Sequence, residues 1–320
     1  MSTDTRPGAP DRRGTDPSRR RTGRWVVVAI ALVVLLVGGY LLYAMVTDDD
    51  SSGAGGGDGW ETVWREEFDG SAGALPDESE WLFDTGTSYP GGAPQWGTGE
   101  IQTYTADPAN ASLDGDGRLK ITATRDSQGV WHSARLETRR TDFRAEAGEV
   151  LKVAATIKVP DGGPGYWGAF WMLGEEFRGN FVNWPGIGEI DIMEFKGAEP
   201  SQVYGTFHCG VAPGGPCDEN NGRGGSYTSP GGPLPGDFHT YGVEWDRSTS
   251  TEEIRWYLDG HQFFTVRATD VDAATWEKAT HHGFFILVNL AIGGSFGGPP
   301  DASTRPGASM LVDDITVSRR

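Results

Sequence analysis

From residue 60 onward the sequence predicts an all-β fold, a sandwich built of short strands. Three observations predict it. Glycine and proline are abundant, 48 and 19 of 320 residues, and they punctuate the chain at short intervals. The apolar residues fall in short runs bounded by those turn residues, as strands require. Long stretches with a 3.6-residue apolar period are absent, so helix is confined to short pieces such as Ala273 to Ala279. Residues 60–320 suffice for one large domain. Within it Leu258-Asp259-Gly260-His261 reads as a hairpin, because Asp-Gly tolerates the positive φ angles of a tight two-residue turn.

The residues before it are different in kind. Residues 1–24 form an Arg-rich, fold-poor tail containing Arg12, Arg13, Arg19, Arg20, Arg21 and Arg24. Residues 25–46, Trp25 to Val46, are an uncharged apolar run, long enough at about 1.5 Å per residue to cross a bilayer as one transmembrane helix. Residues 47–59 are an acidic, Gly-rich linker that includes Asp48, Asp49 and Asp50. Arginines before the run and acids after it place the N-terminus in the cytoplasm and the domain outside. The run is too long for a signal-peptide core and no A-x-A site follows, so a retained membrane anchor is expected, with cleavage and secretion as the alternative. The net charge is −18 despite the arginines, so the outer domain is more acidic still. That balance disfavours nucleic acid and sulfated polymers and favours a neutral partner.

The chemistry concentrates in Trp184-Pro185-Gly186-Ile187-Gly188-Glu189-Ile190-Asp191-Ile192-Met193-Glu194. In a regular strand Glu189 and Asp191 share a face and Glu194 points to the other. One bulge between Asp191 and Glu194 restores the phase and gathers all three acids on one face. Crowded carboxylates raise one another's pKa, which suits a reaction needing one ionised carboxylate beside one protonated acid. Retaining glycoside hydrolysis is such a reaction. A solvated acidic strand face is the plainer reading of the same residues. Upstream, Tyr166-Trp167-Gly168-Ala169-Phe170-Trp171-Met172-Leu173-Gly174 places Trp167 and Trp171 four apart, on one strand face. Many of the chain's twelve Trp sit beside glycine and polar residues, where flat rings suit stacking on sugars; the others fill the core.

The motif resembles family 16 glycoside hydrolases, in particular the bulged E-x-D-x-x-E form of laminarinases. Further segments match in the family's order: Trp64 to Gly70, Trp96 to Thr105, Ser133-Ala134-Arg135-Leu136, Gly205-Thr206-Phe207-His208, Phe238 to Trp245, Trp256-Tyr257-Leu258-Asp259-Gly260, Asn289 to Gly294 and Met310 to Ile315. The resemblance spans residues 60–320. It implies a β-sandwich jelly roll with a concave substrate cleft. Glu189 would be the nucleophile, Glu194 the general acid/base and Asp191 the assisting carboxylate.

By the same resemblance Trp184, Trp167 and Trp171 would stack sugars, Arg135 would hydrogen-bond sugar hydroxyls and His208 would line the cleft. Glu100 is a candidate polar group of the cleft, as is Asn289, which equally suits capping a buried backbone group. The implied reaction is cleavage of internal β-1,3 linkages of a neutral, laminarin-like β-glucan. Endo-β-1,3-galactanase or mixed-linkage β-glucanase action, transglycosylation, and glycan binding without turnover are the alternatives. Family members of the binding kind have typically lost the catalytic glutamates, and here all three acids are present. The sequence departs from the family where many relatives read Trp-Pro-Ala-Phe-Trp and this chain has Gly168, and in a long Gly/Pro-rich insertion from Cys209 to Gly236.

Cys209 and Cys217, the only two cysteines, flank part of that insertion. Outside the cytoplasm they can form a disulfide, stabilising by at most about 2.6 kcal/mol; two free thiols, or a metal site with His208, are the other readings, zinc being disfavoured by the spacing. No cofactor is required. A structural calcium ion is common on the family's convex side, where the backbone of Glu67 and the side chain of Asp313 match. The expected partners are a β-linked neutral polysaccharide and, through residues 25–46, a membrane; the domain is expected to be a monomer.

Overall fold

A computed structural model describes residues 59–320. The Arg-rich tail (1–24), the apolar run (25–46) and nearly all of the linker (47–59) lie outside the described residues. Among the described residues no helix is long and apolar enough to cross a membrane.

Two antiparallel sheets stack into a β-sandwich, with the chain crossing between them in jelly-roll fashion. The site-bearing sheet has seven strands in the order Arg223–Thr228, Gln202–His208, Glu189–Lys196, Tyr166–Gly174, Phe284–Ile292, Arg135–Thr138 and Trp81–Asp84. The back sheet has eight. Seven run in the order His261–Arg267, Glu253–Leu258, His239–Asp246, Val150–Lys158, Ser309–Arg319, Leu119–Thr122 and Ala111–Leu113, and Glu61–Glu66 pairs with Ser309–Arg319. A small third sheet joins Gln102–Tyr104, Trp131–Ser133 and Thr124–Arg125.

Alternation along these strands makes the core. Phe170, Met172, Ile190, Ile192, Phe207 and Val288 of the site-bearing sheet join Val153, Tyr241, Val243, Trp245, Trp256 and Ile315 of the back sheet in one fully buried cluster. The Asp259-Gly260 hairpin forms as expected, with Leu258 paired to His261 and φ of 49° and 77° at the two turn residues. Asp259 also accepts the Thr240 N–H at 2.8 Å, tying the turn to the neighbouring strand. The predicted helix is Ala273–Thr280, capped by the Asp272 carboxylate on the Thr275 N–H.

The bulge is present. Asp191 pairs with Thr206 and Glu194 with Tyr204, so Ile192 and Met193 both stand opposite Gly205. The other neighbour registers the same shift, Phe170 pairing with Met193 and Trp171 with Asp191. Trp256 of the back sheet reaches through the core and donates its indole N–H to the Asp191 carbonyl at 2.8 Å, satisfying a buried backbone acceptor where the ladder is broken. The indole needs the space opposite. A Cβ on Gly205 would lie 2.3 Å from Trp256 Cδ1, so only glycine lets the ring in. Gly205→Ala is therefore expected to destabilise by about 1–3 kcal/mol, as overpacked cores do. Urea unfolding reads this as a lower midpoint at unchanged slope; an unchanged midpoint would show that the indole does not hold the bulge.

Candidate active site

The bulge turns Glu189, Asp191 and Glu194 to the outer face of the sheet while Ile190, Ile192 and Phe195 stay in the core. His208, opposite Glu189 on the next strand, adds an imidazole whose Nε2 lies 3.3 Å from Asp191 Oδ2 and 3.8 Å from Glu189 Oε1. Its Nδ1 lies 2.7 Å from Glu219 Oε2. Glu194 stands apart from these pairings: Trp167 Nε1 donates to its Oε1 at 3.1 Å and Thr206 Oγ1 to its Oε2 at 3.4 Å.

Burial decides the electrostatics. Desolvation, then the neighbouring Asp191 charge, pushes the Glu189 carboxyl up from 4.5 to about 8, against a lowering pull from His208 and Arg135. The same two causes push Glu194 well above its ordinary range. For His208 burial works against the charged ring, but hydrogen bonds to Asp191 and Glu219 and the Glu189 charge outweigh it and raise its pKa well above 6.5. Glu189 has a cation within 4 Å, whereas no ion pair reaches Glu194 among the described residues. Ionisation is therefore easier at Glu189, beside the imidazole, than at Glu194, which of the two is the one that keeps its proton. Glu189, Asp191 and His208 also have the spacing of a metal trio. A ring facing carboxylate oxygens at both nitrogens donates from both, which leaves it no lone pair for a metal.

The three expected tryptophans surround these acids. Trp167 and Trp171 share the outer face, Trp171 donating to Asn289 Oδ1 at 2.8 Å, and Trp184 packs on His208 at 5.4 Å between ring centroids. Sequence reasoning missed the extension of this surface. Phe296, on a one-turn helix Gly294–Gly297, packs against Trp167 and Tyr204, and Lys196 Nζ sits over both Tyr204 and Phe296.

Arg135 and Glu100 are placed beneath this surface. Arg135 is 5% exposed; its Nε donates to Asp84 and its Nη2 to the Tyr89 hydroxyl, both at 2.9 Å, and its guanidinium lies against the rings of Tyr89, Trp96 and Trp171. It props the aromatic floor from below. Glu100 is likewise buried and accepts from Thr98, Gln102 and Tyr104, whose hydroxyl in turn accepts from Asn289. This chain of hydrogen bonds ends at the Asn289 amide that orients Trp171.

Cys209 and Cys217 are joined in a disulfide, so neither the free-thiol nor the metal reading of these residues applies. The two residues expected at a calcium site make surface ion pairs. Asp313 Oδ1 accepts from Arg118 Nε at 3.0 Å, and the Glu67 carboxylate pairs with Arg65.

These features fit a known family. The sequence model of glycosyl hydrolases family 16 matches residues 101–304. The chain belongs to glycosyl hydrolase family 16. A beta-glucanase of Rhodothermus marinus is 34% identical over 282 residues, covering 81% of this chain and 85% of that protein. The glucan endo-1,3-beta-glucosidase A1 of Niallia circulans is 32% identical over 289 residues, but the match spans only 38% of that longer protein. The crystal structure of an endo-1,3-beta-glucanase from Streptomyces sioyaensis superposes with a TM-score of 0.80 at 49% identity, covering 84% of this chain and 99% of that one.

The raised carboxyl in this family 16 domain has a stability consequence. Unfolded, Glu189 loses its proton near 4.5; folded, it holds it to about 8. The folded state then binds more protons than the unfolded, so stability falls as pH rises between those values. Glu189→Gln is therefore expected to raise the melting temperature by about 2 °C or more at pH 8 and by less at pH 5. A gain equal at both pH values would rule out carboxylate desolvation as its source.

Proposed function

We propose that the protein is a retaining endo-β-1,3-glucanase acting on a neutral, laminarin-like β-glucan. The observation that carries this reading is the bulged strand: it gathers Glu189, Asp191 and Glu194 on one face, beside Trp167, Trp171 and Trp184. The glucanase relatives support the substrate class, as does the net charge of −18, which repels anionic polymers. The arginine tail and the apolar run of residues 25–46 support a domain tethered outside the cytoplasm.

In the proposed mechanism the indole faces seat the sugars across the two glutamates. Glu194 gives its proton to the glycosidic oxygen while the Glu189 carboxylate attacks the anomeric carbon, so the leaving chain departs as an alcohol and a covalent glycosyl-enzyme ester remains. Glu194, now a carboxylate, takes a proton from water, whose oxygen attacks the same carbon and releases Glu189. Two inversions leave the β configuration. Asp191 sits between the two acids and, with His208, holds the Glu189 side of the site in register.

The full-length chain, incubated with laminarin, barley glucan and β-1,3-galactan, is expected to cut laminarin to a ladder of oligosaccharides whose new reducing ends are first β by proton NMR. Glu194→Gln should lower the turnover by about 10²–10⁴-fold with the fold intact. Cleavage of galactan but not laminarin would overturn the substrate, and α-configured first products would overturn the mechanism.

A further inference from the structure

We propose that Glu219, two residues beyond the Cys209–Cys217 disulfide, is a positioning residue that keeps the His208 imidazole doubly protonated and aimed at Asp191 and Glu189. It rests on the proposed function only in that Glu189 must ionise to react. Glu219 lies in the Gly/Pro-rich insertion and matches no motif of the chain, yet its carboxylate is fully buried. Its Oε2 is 2.7 Å from His208 Nδ1, and its Oε1 accepts the Cys209 N–H at 2.9 Å. The cysteine next to His208 thus anchors the same carboxylate that grips the ring.

The imidazole has acid oxygens at both ends, Glu219 at Nδ1 and Asp191 at Nε2, with Glu189 Oε1 at 3.8 Å. Both nitrogens must donate, and an imidazole that donates twice is cationic. The ring is also held in place. Trp184 packs on it, and a Cβ on Gly222, whose φ is 74°, would meet its Cε1 at 2.8 Å. The titratable groups that act on it are Glu189, Asp191 and, through space, Glu194 from the bulged strand, and Glu219 from the loop. No lysine or arginine is ion-paired to Glu219 among the described residues, so the imidazolium is its counter-ion. A buried carboxylate without one is strongly unfavourable. One positive charge is thereby fixed beside Glu189 and lowers the cost of ionising it, with no arginine or lysine in a permanent pair with that carboxylate.

The test is Glu219→Gln in the full-length chain, read by the ¹⁵N shifts of the His208 ring and by the pH profile of laminarin cleavage. In the native protein both ring nitrogens should be protonated at pH 7. In the variant His208 should lose a proton at lower pH, Glu189 should then ionise at higher pH so that the acid limb of kcat moves up by about one unit, and KM should change little. A one-unit move corresponds to about a ten-fold loss of kcat below both limbs. A singly protonated His208 in the native chain at pH 7 overturns the proposal, as does a folded variant with unchanged ring shifts and profile. If the variant melts too low to assay, the native ring shifts decide alone. If the ring behaves as expected but no β-glucan is cut, the proposed function fails and the role of Glu219 stands.

Discussion

The hydrogen bond from the Trp256 indole to the Asp191 carbonyl is the contact on which the site depends. A β-strand alternates its faces, so acids spaced as Glu189, Asp191 and Glu194 are cannot share one without an extra residue. The bulge supplies that residue and leaves a buried carbonyl at the break. An indole from the opposite sheet satisfies it, and Gly205 leaves the room the indole needs. The register of the site-bearing sheet is thus tied to the core packing of the whole sandwich.

Gathering the acids costs stability. Desolvation raises the carboxyls of both Glu189 and Glu194. What limits the cost is placement of donors: Trp167 and Thr206 on Glu194, His208 on Asp191 and Glu189. These unequal surroundings separate the two glutamates, one beside a cation and one beside neutral donors. A double-displacement reaction needs that separation.

Much of this was legible in the sequence. The spacing of Glu189, Asp191 and Glu194 demanded the bulge, the four-residue interval of Trp167 and Trp171 put both rings on one face, and Asp259-Gly260 announced its hairpin. All three depend on local periodicity or turn chemistry. What escaped depends on contacts between distant segments. Arg135 matches an arginine expected to meet sugar, yet Asp84 and Tyr89 reach it from another strand and loop and enclose it beneath the aromatic floor. Glu219 lies in a loop with no period to read; its one sequence signal is an acid two residues beyond Cys217, in a loop that a bridge would fold back onto the His208-Cys209 pair. Asp313 likewise gave no hint of Arg118, nearly two hundred residues away, with which it pairs.

The most direct measurement is to trap the covalent intermediate. A laminari-oligosaccharide carrying fluorine at C2 of the reacting sugar and an activated leaving group slows release of the ester, and peptide mass spectrometry then locates the added sugar. If the bulge sets the geometry as described, the adduct is stoichiometric and lies on Glu189. An adduct on Glu194 or Asp191, or none while the substrate is turned over with inversion, would contradict the assignment.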